Sequence, residues 1–219
     1  MRFPEGDRII KINAEFELTY RFQNLYQITS PRIEELGNSI CQNRLGGEIF
    51  RDELHEVGIL MGKGLPLDAQ QAESESAMII GIPRGGVPLA EGVKQSLPNA
   101  QLFFTNDGKN ADPYRPLLAL DTPEGYPNLI LIIDTVVDLG STDERTVREA
   151  YSQFPNSTIS IISLITSVDG AFRLENTFPN LKHYTAIVEK ETRWIELSKN
   201  INRRIIPKIG DVGELVSGQ

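Results

Sequence analysis

Apolar residues are spread along the chain in two alternating rhythms. Aliphatic runs at 77–82 and 129–133, and further strand candidates at 100–104, 158–166 and 182–188, alternate with stretches of helical spacing over 87–97, 142–154 and 170–176. A run such as Leu129-Ile130-Leu131-Ile132-Ile133 has no polar alternate position, so it describes a strand covered on both faces, the habit of parallel sheets. Strand and helix alternating at this spacing predict an α/β fold: a doubly wound, mostly parallel sheet of about five strands. Ahead of it, Ser30-Pro31 forms a helix start, with Ile33, Leu36 and Ile40 on one face, and a second helix is expected over 52–61. The chain thus reads as one domain, with a helical N-terminal extension (1–76), an α/β core (77–188) and a C-terminal segment (189–219).

The strand at 129–133 runs into Asp134-Thr135-Val136-Val137-Asp138-Leu139-Gly140-Ser141-Thr142. In open α/β sheets ligands bind beyond the carboxyl ends of the strands, and a carboxylate there can accept hydrogen bonds from both vicinal hydroxyls of a ribose. Gly140 permits a tight turn, and Ser141 is expected to cap the following helix, with Glu144 completing a capping box. Backbone N–H groups at that helix start suit a phosphate. An ordinary βα junction, in which Asp134 and Ser141 only tie down the loop, accounts for the same residues. A second strand, 77–82, leads into Pro83-Arg84-Gly85-Gly86-Val87-Pro88, where the glycines let backbone approach an anion and Arg84 offers a planar donor fork.

These segments resemble the type I phosphoribosyltransferases, whose signature is a hydrophobic strand, one or two acids, and a Thr-Gly-Gly-Ser-like loop for the 5′-phosphate of phosphoribosyl pyrophosphate. The resemblance is closest to the uracil-specific branch. There an Arg-Ala-Gly segment, often with a strained peptide bond, contacts pyrophosphate, and Arg84 matches its Arg. Ile205-Ile206-Pro207-Lys208-Ile209-Gly210-Asp211-Val212-Gly213-Glu214 is similar to the branch's uracil-binding segment. By position, Ile205 and the backbone of Gly210, Asp211 and Val212 would face the pyrimidine, making 189–219 a base-binding hood. The breaker-rich stretch 105–128 resembles the family's mobile hood over the donor, with Lys109 where the branch has an Arg that contacts pyrophosphate; Arg115 is a second candidate.

The resemblance implies transfer of a ribosyl phosphate from phosphoribosyl pyrophosphate to uracil N1, giving uridine monophosphate and pyrophosphate. Asp134, Arg84 and Asp138 are the implied catalytic residues. Arg84, Gly85, Lys109, the 134–142 loop, Ile205, Gly210, Asp211 and Val212 would bind donor and base. Mg²⁺ would enter with the donor, and no residue is assigned as a direct ligand. Several positions depart from the pattern. Leu139 replaces the usual Thr, Ser141 the second loop glycine, Thr135 the second acid, Asp138 an Ala, and Arg204 a Tyr. They leave open a transferase for another base, or a non-catalytic binder of the donor or a nucleotide.

Charge and cysteine content narrow the setting. A net charge of −8 argues against non-specific nucleic-acid binding. Cys41 alone allows no intrachain disulfide, no apolar segment reaches membrane-span length, and no signal peptide is evident, so a cytoplasmic location is expected. His55 and His183 are far apart in sequence, which argues against a zinc site or a Ser-His-Asp arrangement. The family is commonly dimeric or larger.

Overall fold

The structure, a computed structural model, describes residues 24–42, 47–67, 77–106, 126–189 and 216, and the backbone of 192–197 and 200–205. Six strands, β1 (Leu25–Gln27), β2 (Ala77–Gly81), β3 (Gln101–Phe104), β4 (Leu129–Val137), β5 (Thr158–Ser167) and β6 (Lys182–Glu189), form one all-parallel sheet in the order β1-β6-β5-β4-β2-β3. Five of the six match the expected strands. The sixth, β1, lies in the stretch read as purely helical. At three residues it is too short to show a period, and it earns its place by pairing with β6, Leu25 opposite His183 and Gln27 opposite Thr185.

Among the described residues five helices cover the sheet: α1 (Pro31–Gln42), α2 (Glu48–Gly64), α3 (Gly86–Ser96), α4 (Ser141–Gln153) and α5 (Val168–Thr177). Ser30 caps α1 as expected, its Oγ accepting from the Ile33 N–H at 3.2 Å with Pro31 in the first helical position. Side chains alternate between two cores. Ile79, Leu129, Leu131 and Ile133 pack with Ile33, Leu36, Ile40, Leu54, Val57 and Leu89 of α1, α2 and α3. Met78, Ile80, Ile130 and Ile132 pack with Val147, Ala150 and Leu174 of α4 and α5. The first five residues of β4, Leu129–Ile133, are apolar at every position because both faces are covered there.

The path of the chain fixes where a ligand can sit. From β2 the chain moves outward to β3, then returns past β2 to β4 and continues the other way to β5 and β6. The connections therefore diverge between β2 and β4, opening a crevice at their carboxyl ends. Pairing of β4 with β2 ends at Gly81 opposite Ile133, whereas pairing with β5 continues to Val137 opposite Thr166. Asp134 is thus inside β4, not at its terminus as the sequence suggests, but it is the first residue past the last rung with β2.

Helices α2 and α3 run side by side in the same direction at van der Waals limits. A Cβ on Gly58 would stand 2.3 Å from the Leu89 carbonyl oxygen, one on Gly92 2.0 Å from that of His55, and one on Gly62 1.9 Å from Ser96 Oγ. This packing brings the start of α2 beside the start of α3, at the crevice end of the sheet. In β5, Leu164 and Ile165 both join the core beneath α1–α3, which returns Thr166 to the face of Ser163. Their hydroxyls meet at 2.6 Å, and each lies 3.0 Å from Nε2 of buried His183; burial pushes that imidazole down to about 3.

Beyond β6, Thr192–Leu197 and Asn200–Ile205 form an antiparallel hairpin, β7 and β8, that the sequence reading lacks. No helix among the described residues is long and apolar enough to cross a membrane.

Candidate active site

Two turns meet at the crevice. The first, 82–86, joins β2 to α3 and contains a cis peptide between Pro83 and Arg84. It lies directly on β4: the Ile82 N–H donates to the Ile133 carbonyl at 2.8 Å, and a Cβ on Gly86 would stand 2.7 Å from the same oxygen. Close approach to the neighbouring strand is what requires glycine at 86. Gly85 has ordinary right-handed helical angles, φ −60° and ψ −41°. Its carbonyl accepts a hydrogen bond from Thr135 Oγ1 at 2.6 Å. Thr135, the residue replacing the family's second acid, therefore ties the arginine turn to β4. Arg84 is exposed at the rim, and its side chain has no hydrogen bond or ion pair to a described residue.

The second turn follows β4. Asp134 is half-buried, and its Oδ1 accepts weakly from the Val136 N–H at 3.4 Å. Asp138, Leu139 and Gly140 carry the chain into α4. Gly140 has φ +66°, the left-handed region that favours glycine, and is itself the N-cap: its carbonyl accepts the Glu144 N–H at 2.8 Å. The expected capping box does not form. Ser141 is the first helical residue, no side chain caps the helix, and the Glu144 carboxylate turns to Arg173 Nε at 2.6 Å and Arg148 at 2.8 Å. Those two guanidinium groups hold its pKa below the usual range. The Asp143 carboxylate accepts from its own backbone N–H, and the Ser141 and Thr142 N–H groups ahead of it suit an anion.

Helix α5 supports the loop from below. Ser167 caps α5 by accepting the Gly170 N–H at 2.9 Å and donates its own hydroxyl to the Asp138 carbonyl. A Cβ on Gly170 would stand 2.3 Å from that carbonyl oxygen. Leu139 turns outward, 39% exposed, at the position where the resemblance expects Thr. Val136 is half-buried, Val137 is buried in the core beneath α4, and Thr142 is partly exposed in the first turn of α4.

The sequence reading missed Asp143. It is 2% exposed, and its Oδ1 has no hydrogen-bond partner. Burial first, and then the charge of Asp134, push its carboxyl well above the ordinary carboxylate range, favouring the protonated acid. The signal was available: Asp143, Thr146, Val147 and Ala150 are spaced i, i+3, i+4, i+7, and all four are buried. An acid in the first turn of a helix ordinarily serves the dipole from solvent, but this one lies on the core stripe.

Of the remaining candidates, Lys109, Arg115, Gly210, Asp211 and Val212 lie outside the described residues, and Ile205 is the last residue of β8, its backbone opposite Thr192. Val216, within the C-terminal segment, is buried in the core beneath α1–α3 and lines a cavity with Arg84. No group of three or more metal-ligating side chains occurs among the described residues. Mg²⁺ commonly binds through one or two carboxylates together with substrate phosphates, and Asp134 and Asp138 beside the open N–H groups fit such a shared site better than an all-protein cage.

The sequence model of uracil phosphoribosyltransferase matches residues 46–216, which include both turns and the C-terminal segment. The chain belongs to the uracil phosphoribosyltransferase family. It is accordingly a transferase of the phosphoribosyltransferase class. The fold is similar to that of the AQ2163 protein from Aquifex aeolicus, with a TM-score of 0.69, 20% identity and coverage of 89% of this chain and 98% of that one. Weaker similarity extends to the Mycobacterium tuberculosis orotate phosphoribosyltransferase (TM-score 0.48, 12% identity, 74% and 90% covered) and the Leishmania donovani adenine phosphoribosyltransferase (TM-score 0.49, 12% identity, 75% and 83% covered).

Two outcomes follow from this geometry. Because Asp143 has its pKa raised on folding, the folded state holds its proton more tightly than the unfolded chain does. Its contribution is therefore intact below the unfolded carboxyl pKa of about 3.9 and is lost as pH rises through the raised folded value. Asp143→Asn, which keeps the shape without ionising, should gain stability over the parent progressively from pH 4 to pH 8 in thermal denaturation; a constant difference across that range would contradict the assignment. Thr135→Val removes the tie to Gly85 and should cost about 1 kcal/mol or somewhat more in chemical denaturation, since the carbonyl loses its partner. A variant as stable as the parent would mean that the tie contributes nothing.

Proposed function

We propose that this protein transfers ribose 5-phosphate from phosphoribosyl pyrophosphate to uracil, giving uridine monophosphate and pyrophosphate. The observation that carries this reading is the convergence, at the β2/β4 crevice, of an arginine-bearing turn and a carboxylate-to-helix loop, tied together by Thr135 and Gly85. The family match supports the class of reaction, and its extension to residue 216 supports uracil through the Ile205–Val212 segment.

In the reaction the bond from C1′ to the pyrophosphate oxygen breaks and a bond from C1′ to uracil N1 forms. The N1 proton leaves, and the leaving diphosphate gathers charge as C1′ becomes oxocarbenium-like. Asp134 would accept the ribose hydroxyls and hold the ring in line. Backbone N–H groups of the 139–142 turn would hold the 5′-phosphate, and Arg84 would meet the growing charge on the leaving group. Asp138 is the candidate base for the N1 proton. When bound with the donor, Mg²⁺ supplies further charge neutralisation at the diphosphate. Lys109 is a candidate for the diphosphate from the 105–128 segment.

A second reading is favoured by one observation. Leu139 presents an apolar, solvent-facing side chain where the family places a hydroxyl donor. A chain that binds the donor without turning it over would tolerate that loss. Labelled donor, Mg²⁺ and a panel of bases separate the readings: formation of labelled uridine monophosphate supports the proposal, turnover confined to another base reassigns the specificity, and donor binding with no product supports the binder. Asp134→Asn should abolish donor use while the far-ultraviolet circular dichroism is kept; an active variant would refute its ribose role.

A further inference from the structure

A cavity of about 640 Å³ opens beside the arginine turn, between the first turns of α2 and α3. Its polar wall is formed by Arg51, Asp52 and His55 of α2 with Arg84 and Glu91, and Val216 contributes to its apolar floor. The volume falls within the usual range for a small-molecule site. Arg51 reaches the cavity because α2 and α3 are parallel and nearly touch through Gly58 and Gly92, which sets the α2 residues 51–55 level with the start of α3.

The two arginines differ from others on the surface. Arg32, Arg148 and Arg173 are each committed to a carboxylate at 2.6 to 2.9 Å. The side chains of Arg51 and Arg84 form no hydrogen bond or ion pair with a described residue, although Asp52 and Glu91 line the same cavity. Two guanidinium groups with no side-chain partner among the described residues, lining one concave space, form a paired donor set for a ligand carrying two adjacent anionic groups.

We infer that Arg51 is a second ligand for the diphosphate end of the donor, so that the leaving group is held between α2 and the arginine turn. This inference rests on the reading of Arg84 as the diphosphate-binding arginine and extends that site to a helix outside the α/β core. Diphosphate has one phosphoryl group for each fork, whereas a single phosphate is satisfied by one. The role is a positioning one that also fixes affinity for the product.

Titration of the full chain with inorganic pyrophosphate and, separately, with ribose 5-phosphate tests it. Arg51→Gln should weaken pyrophosphate about tenfold or more and leave ribose 5-phosphate within about twofold, because a charge-assisted pair contributes on that scale. Arg51→Lys should recover part of the loss, and Lys63→Gln, the same charge change at the far end of α2, should have no effect. Unchanged pyrophosphate affinity in Arg51→Gln, or an equal loss in Lys63→Gln, would overturn the inference. If the parent binds pyrophosphate in an Arg51-dependent way but no ribose 5-phosphate, the transferase reading fails and the anion cavity stands.

Discussion

The β2–α3 turn must lie directly on the backbone of β4 for the site to exist, and no side chain can intervene. Ile82 N–H and the Cα of Gly86 both address the carbonyl of Ile133, and Thr135, two residues on, reaches back to the carbonyl of Gly85. That approach sets the separation between Arg84 and Asp134, the two groups that would hold opposite ends of one donor. The same economy of side chains continues outward, where Gly58 and Gly92 bring α2 against α3 and carry Arg51 to the rim. From β4 to α2, three successive layers are spaced by glycines, so the placement of the cationic groups follows from backbone contact.

The electrostatics of the crevice must be reconciled with an anionic ligand. A chain of net charge −8 places Asp134, Asp138 and Asp143 within ten residues of one another around the phosphate turn. Asp143 eases the conflict through burial, which raises its pKa well above the ordinary carboxylate range and so disfavours a negative charge beneath the helix start. Glu144 is held outward by Arg148 and Arg173. The Ser141 and Thr142 N–H groups are the ones placed to meet an anion, and Asp134 remains to meet hydroxyls, for which a charged acceptor is an advantage.

What the sequence revealed depended on how much of each feature is local. The strands β2 and β4 were the most legible because an apolar run buried on both faces needs no knowledge of its neighbours. β1 was not, since three residues at an edge take their structure from β6. Asp134 was assigned to a strand end because polarity begins there, yet β5 continues alongside and carries β4 to Val137. Ser141 and Glu144 have capping-box spacing, but Gly140 in the left-handed region moved the cap back one residue and two arginines claimed the glutamate. Asp143 was readable from the buried stripe it shares with Thr146, Val147 and Ala150. Arg51 was beyond reach, because its place at the cavity depends on the register of α2 against α3.

The central claim is that the crevice between β2 and β4 binds a sugar phosphate, with the 5′-phosphate on the α4 start and the ribose on Asp134. A crystal structure with ribose 5-phosphate and Mg²⁺ tests this most directly. The account predicts phosphate oxygens at about 2.9 Å from backbone N–H groups of residues 139–142, with the ribose hydroxyls on Asp134. A sugar phosphate bound elsewhere, or reversed with its phosphate on Arg84 and its ring away from Asp134, would contradict it.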